Sequence, residues 1–299
     1  MTALQAFDGW MKGVQSSMEV ALASFLPLQT DVPARLHAAM RYAVLDGGKR
    51  VRPLLVFAAG DLFGADADML ARAAAAVEMI HAYSLVHDDM PCMDDDELRR
   101  GKPTVHIQYD EATALLVGDA VQSQAFLVLS QGESGIDATR QLTMIRLLAQ
   151  ASGSVGMCGG QAIDLASVGL SLSLHELEQM HRLKTGALLR VSVLLGALAG
   201  KTLNDNETAA LDAYSSAIGL AFQVVDDVLD ATADSATLGK TAGKDAADNK
   251  PTYVSILGLE QSKALAEKLR HDAHEALTPF GEKARRLRDI ADLIVQRKA

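Results

Sequence analysis

The sequence predicts an all-α fold, and three observations carry that prediction. Alanine and leucine dominate a chain that is 49% hydrophobic but only 4% aromatic, which suits helices packed closely through small side chains. No proline occurs between residues 104 and 250, so long helices are permitted there. Apolar residues recur at helical spacing, and no stretch shows the alternation of a strand. With no fixed-period repeat and no linker-like segment, the chain reads as one helical domain, 1–299, of ten or more helices.

Residues 4–26 predict the first helix. Pro33 sits in the first turn of the second, 33–45, whose end is marked by Gly47-Gly48. Pro53 opens an apolar helix over 52–62 that stops near Gly64. Asp66 or Asp68 caps the next, which runs through an alanine block to Asp88-Asp89. It is apolar almost all round, so it is expected to be buried, with Pro91 disturbing its end. Thr104 caps a helix over 107–129. Helices over 138–168, interrupted by Gly156, Gly159 and Gly160, and over 173–199 follow, then one over 206–231. Residues 232–250 form a Gly/Lys/Asp-rich loop long enough to suggest function. Two amphipathic helices, 260–277 and 282–297, read as peripheral.

The net charge of -10 argues against a nucleic-acid partner. Basic residues nevertheless cluster at Lys49–Arg52, Arg99–Lys102 and Lys240–Lys250, which suggests an anionic small ligand. Cys92 and Cys158 form no CxxC, so neither a disulfide framework nor a zinc site is indicated and a reducing compartment fits. The start, MTALQAFDGWMKG, has no secretory signal pattern. The most apolar run, Ala187–Ala199, is too short to span a bilayer and contains Arg190. The expectation is a cytoplasmic protein with no integral membrane segment.

The chemistry concentrates in HAYSLVHDDMPCMDDDELRRGK, residues 81–102. Asp88, Asp89, Asp94, Asp95 and Asp96 crowd into nine residues, followed by Arg99 and Arg100. Such crowding costs free energy unless a cation neutralises it. Magnesium is suited, because it prefers oxygen ligands and bridges carboxylates to phosphates. A solvated acidic loop is the other reading of this stretch alone. A second motif, DDVLD at Asp226–Asp230, hangs from a strongly apolar helix near its C-terminal end. There the macrodipole disfavours carboxylates, so a sequence that places them at two such helix ends has a cation to hold. Asp226 and Asp230 share a face; Asp227 points about 100° away.

These residues reach a known family. The two aspartate-rich motifs, with GGKRVRP at 47–53, LVHDDMPCMDDDELRRGKPTVH at 85–106, GGQAIDL at 159–165, KTG at 184–186, FQVVDDVLD at 222–230 and GKTAGKD at 239–245, resemble the trans-prenyl diphosphate synthases, closest to the bacterial farnesyl type. The resemblance covers nearly the whole chain. It implies an isoprenoid synthase-like fold of helices around a central cavity, and a homodimer. The implied reaction condenses isopentenyl diphosphate with dimethylallyl or geranyl diphosphate to give farnesyl diphosphate.

By the same resemblance, Asp88, Asp94 and Asp226 hold magnesium, three ions in all. Asp89, Asp95, Asp227 and Asp230 are further possible ligands or orienting groups, and spacing alone does not choose between Asp94 and Asp95. Lys49, Arg52, His81 and Arg100 match the isopentenyl diphosphate pocket. Arg99, Lys184, Thr185, Gln223 and Lys240 match contacts to the allylic diphosphate, with Lys184, Thr185 and Gln223 at the reacting centre. Gln161 and Asp164 support the site. Arg50 and Lys102 read as ordinary surface charges, and His87 has no assigned role. Cys92, with no His/Asn arrangement, reads as a tolerated small residue. Lys244 and Lys250 lie on the long loop, where closing over the diphosphate is their suggested part.

Tyr83 lies five residues before Asp88, about 7–8 Å down the same helix. A ring there is placed to act as a floor under the growing chain, with Ser84 small beside it, and the expected product is C15. A C20 synthase, a terpene cyclase and a non-catalytic helical subunit are the competing readings.

Overall fold

Helices account for nearly every described segment of the computed structural model, which describes residues 3–131, 136–232 and 251–297. Contacts divide the chain into two units, Met1–Arg146 with Leu195–Thr202, and Leu147–Leu194 with Leu203–Ala299.

The first unit is built on α4 (Ala67–Asp88). Asp66 caps it, its side chain accepting from the Asp68 and Met69 amides. Its middle, Ala73 to Val77 with Met79 and Ile80, is completely buried. Four successive alanines let α1 (Ala3–Phe25), α2 (Ala34–Val44), α3 (Val51–Phe63) and α6 (Glu111–Ser130) all pack on it. Each fully buried Met or Ile on this helix contributes about 1.5–3 kcal/mol.

Three features of this unit depart from the sequence expectation. The helix expected over 107–129 is two: α5 (Val105–Gln108) and α6, because Asp110 restarts the helix by accepting from the Thr113 amide at 2.6 Å. Thr104 stands before α5 but turns its hydroxyl to the Asp96 carbonyl at 2.7 Å rather than capping. A two-residue antiparallel ribbon also exists, β1 (Leu98–Arg99) paired with β2 (Lys102–Pro103). It is too short to show alternation in sequence, and its turn residues Arg100 and Gly101 both have positive φ, 54° and 75°.

The second unit is built on α11 (Asp205–Thr232). Tyr214 on it is completely buried and its hydroxyl donates to the Leu287 carbonyl at 2.6 Å. The C-terminal helices, α13 (Leu259–Ala276) and α14 (Arg285–Gln296), lie against α11 and cover it, so they are not peripheral. A short α12 (Tyr253–Leu257), not expected from sequence, precedes them. The expected 138–168 helix is α7 (Ala138–Ser152), shared between the units, and α8 (Met157–Ala166). The expected 173–199 helix is α9 (Leu174–His181), a π-helical turn over Arg182–Gly186, and α10 (Ala187–Gly200), whose residues from Leu195 on belong to the first unit.

Among the described residues, three stretches are long and apolar enough to cross a membrane by length and composition: α4, α6 and Leu174–Gly200. The most apolar run, Ala187–Ala199, lies inside the third of these, and it reads as too short because a helical window extends past it and tolerates one or two charged residues. Burial inside the protein accounts for most of the apolar window in α4 (72%) and Leu174–Gly200 (67%), but for only 44% in α6.

Candidate active site

The turn at Arg100-Gly101 sends two neighbouring arginines to different places. Arg99 Nε donates to both oxygens of Asp89, at 2.7 and 2.9 Å. Burial pushes the Asp89 carboxyl above its ordinary value, against the pull of Arg99. Asp89 is therefore engaged in holding an arginine. Arg100 instead lies over Gly47 and Gly48. A Cβ on Gly47 would fall 2.1 Å from Arg100 Nη1, and one on Gly48 2.6 Å from Nη2. Only glycine leaves that space, and Gly48 also has φ +74°. A cavity of about 80 Å³ opens here, lined by Gly47, Asp89, Arg99, Arg100 and Lys102 among others.

His81 sits about two turns before Asp88 on α4. Its imidazole is driven well below the ordinary value, first by burial and then by Arg52, Arg100, Arg99 and Arg50. It is neutral at pH 7, in a neighbourhood built for an anion. Lys49 is exposed and Arg52 half-buried, both at the start of α3. Arg50, expected at the surface, is instead buried: it pairs with Glu78 at 2.7 Å and Glu19 at 2.6 Å, and donates to the Val44 carbonyl. It stands at the N-cap of α3 with a left-handed backbone, φ 53°.

Asp88 ends α4 and is half-buried. The Asp94 amide donates to the Asp88 carbonyl at 2.8 Å, which folds the intervening turn back onto the helix end. Asp94 is half-buried; Asp95 is exposed with φ 50°. Tyr83 is buried and meets His87 edge-on at 5.9 Å. His87 Nε2 lies 3.1 Å from the Leu115 carbonyl, over Gly118, where a Cβ would come within 1.9 Å of that nitrogen. His87 thus packs between Tyr83 and α6, a role its sequence context did not reveal. Ser84 bonds its own helix, donating to the His81 carbonyl.

In the second unit the π turn carries Lys184 and Thr185. A π turn inserts a residue and re-aims side chains, which is why such turns recur at functional sites. α8 comes so close that a Cβ on Gly160 would be 2.1 Å from the Lys184 amide nitrogen. Lys184 Nζ meets Asp164 Oδ2 at 2.5 Å, and Thr185 Oγ1 donates to Gln223 Oε1 at 2.9 Å. These contacts join GGQAIDL, KTG and FQVVDD in one cluster. His181, stacked on Tyr253 at 5.6 Å, is pushed down to about 4 by burial, and neither ring nitrogen has a hydrogen-bond partner.

The three carboxylates of the second motif have different surroundings. Asp227 Oδ2 accepts from the Tyr253 amide at 2.7 Å, so it pins the start of α12. Asp230 is buried. Asp226 is 38% exposed and accepts from Arg297 Nη2 at 2.7 Å. No sequence signal pointed to Arg297, 71 residues away. Lys240, Lys244 and Lys250 lie outside the described residues.

The donor chemistry within each unit suits magnesium. Asp88 and Asp94 in the first unit, and Asp226 in the second, are hard oxygen donors, each partly open to solvent. Among the described residues no three His, Cys, Asp or Glu side chains converge as a closed cluster. An ion that takes one or two carboxylates and completes its shell with water and phosphate oxygens needs no such cage.

Comparison with known proteins gives concordant matches. The polyprenyl synthetase family profile matches residues 33–283. The farnesyl diphosphate synthase of Escherichia coli is 50% identical over 86% of this chain and 88% of its own. A chloroplastic geranylgeranyl pyrophosphate synthase of Catharanthus roseus is 44% identical over 97% of this chain and 81% of its own. Among solved structures, the geranyltransferase of Helicobacter pylori, complexed with magnesium and isoprenyl diphosphate, superposes with a TM-score of 0.83. It is 31% identical, covering 96% of both chains.

Proposed function

Because the chain belongs to the polyprenyl synthetase family, we propose that it is a chain-elongating prenyltransferase, one domain over 1–299, that makes farnesyl diphosphate from isopentenyl diphosphate and dimethylallyl or geranyl diphosphate. The observation that carries this reading is the Arg99–Arg100 turn. One guanidinium is anchored beside the first aspartate motif, and the other is laid over Gly47-Gly48 next to neutral His81. Two adjacent, separately aimed arginines suit two diphosphates.

In this mechanism Lys49, Arg52, His81 and Arg100 hold isopentenyl diphosphate. His81 donates a hydrogen bond without adding a like charge to the arginines. Arg99, Lys184 and Lys240 hold the allylic diphosphate, and Asp164 orients Lys184. Asp88, Asp94 and Asp226 would hold magnesium, three ions per site, which would supply Lewis-acid neutralisation of a leaving diphosphate. Asp94 is preferred to Asp95 because its amide is tied to the end of α4. The isopentenyl double bond attacks the allylic cation near Thr185 and Gln223, and the released diphosphate takes the proton. Buried Tyr83, backed by His87, forms the floor, with Ser84 beside it. We place the enzyme in the cytoplasm as a homodimer through α6, whose Leu115, Leu116 and Leu127 are at least half exposed.

The deciding assay offers labelled isopentenyl diphosphate and dimethylallyl or geranyl diphosphate with magnesium and measures product length. A C15 main product is expected. C20 would favour a geranylgeranyl synthase, consumption of the allylic substrate alone a cyclase, and no turnover a non-catalytic subunit. Tyr83→Ser is expected to shift the main product to C20 or longer at similar total turnover, and unchanged length would remove the floor. Gly47→Ala is expected to raise KM for isopentenyl diphosphate by about tenfold, one displaced charge-assisted contact, with little change in KM for geranyl diphosphate. Equal effects on both would contradict the division of the two arginines.

A further inference from the structure

We propose that Arg297 stands in for the divalent cation at Asp226 when substrate is absent, and that it must leave before metal is held there. The proposal rests on the reading of Asp226 as a metal ligand. Arg297 Nη2 donates to Asp226 Oδ1 at 2.7 Å and to the Phe222 carbonyl at 2.9 Å. The guanidinium lies 4.0 Å from the centre of the Phe222 ring. Phe222 and Asp226 are one turn apart on α11, so a single guanidinium covers the ring and the carboxylate together. The Arg297 side chain is 11% exposed.

The arrangement is held well enough to persist and incompletely enough to be displaced. Arg297 Nε is buried without a hydrogen-bond partner, so the guanidinium is under-satisfied where it sits. Arg297 also lies directly after the last residue of α14, with extended backbone (φ −61°, ψ 147°), so rotation about one or two bonds moves it without disturbing the helix. A divalent ion on Asp226 Oδ1 brings a second cation to within about 4 Å of the guanidinium, and the two repel unless an anion joins them. Metal binding therefore expels Arg297 and frees it for an incoming diphosphate, while in the empty enzyme Arg297 lowers metal affinity.

The test measures free Mn²⁺ by electron paramagnetic resonance in the full-length protein without diphosphate. Arg297→Gln, and separately deletion of residues 297–299, are expected to bind Mn²⁺ roughly three- to tenfold more tightly than the parent, the amount a partly exposed ion pair can withhold. Arg297→Lys, which keeps the charge but loses the fork, is expected to fall between the parent and Arg297→Gln. Circular dichroism melting checks that each variant is folded. Asp226→Asn separates the two levels of the argument. If it binds Mn²⁺ like the parent, Asp226 is not a ligand and the underlying reading fails. If it loses a site while Arg297→Gln and the deletion leave affinity unchanged or weaker, the Arg297 proposal alone is overturned.

Discussion

Asp226→Asn is expected to reduce turnover by about a thousandfold or more, because losing a Lewis-acid contact costs several kcal/mol of transition-state stabilisation. The amide keeps the size and a neutral acceptor but not the charge that holds the ion. Asp227→Asn is the informative companion. Asp227 accepts from the Tyr253 amide, and an asparagine oxygen can still do so. Its loss should be at least tenfold smaller, with α12 intact. Steady-state kinetics across a magnesium titration check both. Comparable losses for the two variants would mean that the second motif acts as one charged unit.

Arg50→Met is expected to destabilise the protein by about 3–5 kcal/mol, the cost of leaving a buried charge without its partner. Arg50 and Glu78 have side chains only 2% and 4% exposed. Glu19, 37% exposed, can turn to water, but Glu78 cannot. The double variant Arg50→Met/Glu78→Leu is therefore expected to recover most of the loss, since an apolar pair of similar volume replaces an ion pair at little net cost. Urea unfolding of the three proteins measures this. A single-variant loss under about 1 kcal/mol would show that Glu78 is not stranded when Arg50 is removed.

His87 and Arg50 mark where reading the sequence stopped. Both sit inside quoted motifs, yet one read as unassigned and the other as surface. His87 is placed by Gly118, 31 positions away, and Arg50 by Glu78 and Glu19, on two other helices. Asp164, named beforehand as support, found its partner in Lys184. The spacing in DDVLD set Asp226 and Asp227 on different faces, but their partners, Arg297 and the Tyr253 amide, arrive from the C-terminal helices and could not be read from it.

By itself the sequence determined the all-α class, the order of most helices, a cap at Asp66 or Asp68, the stop at Gly64 and the family. Those features depend on residues within about four positions of one another, where helical periodicity and capping act, or on motifs fixed in order along the chain. Only the tertiary structure decided which charges are buried, which carboxylates are already engaged and where Arg99 and Arg100 point. Those outcomes turn on desolvation and on partners brought together from distant helices, and neither is encoded in local spacing.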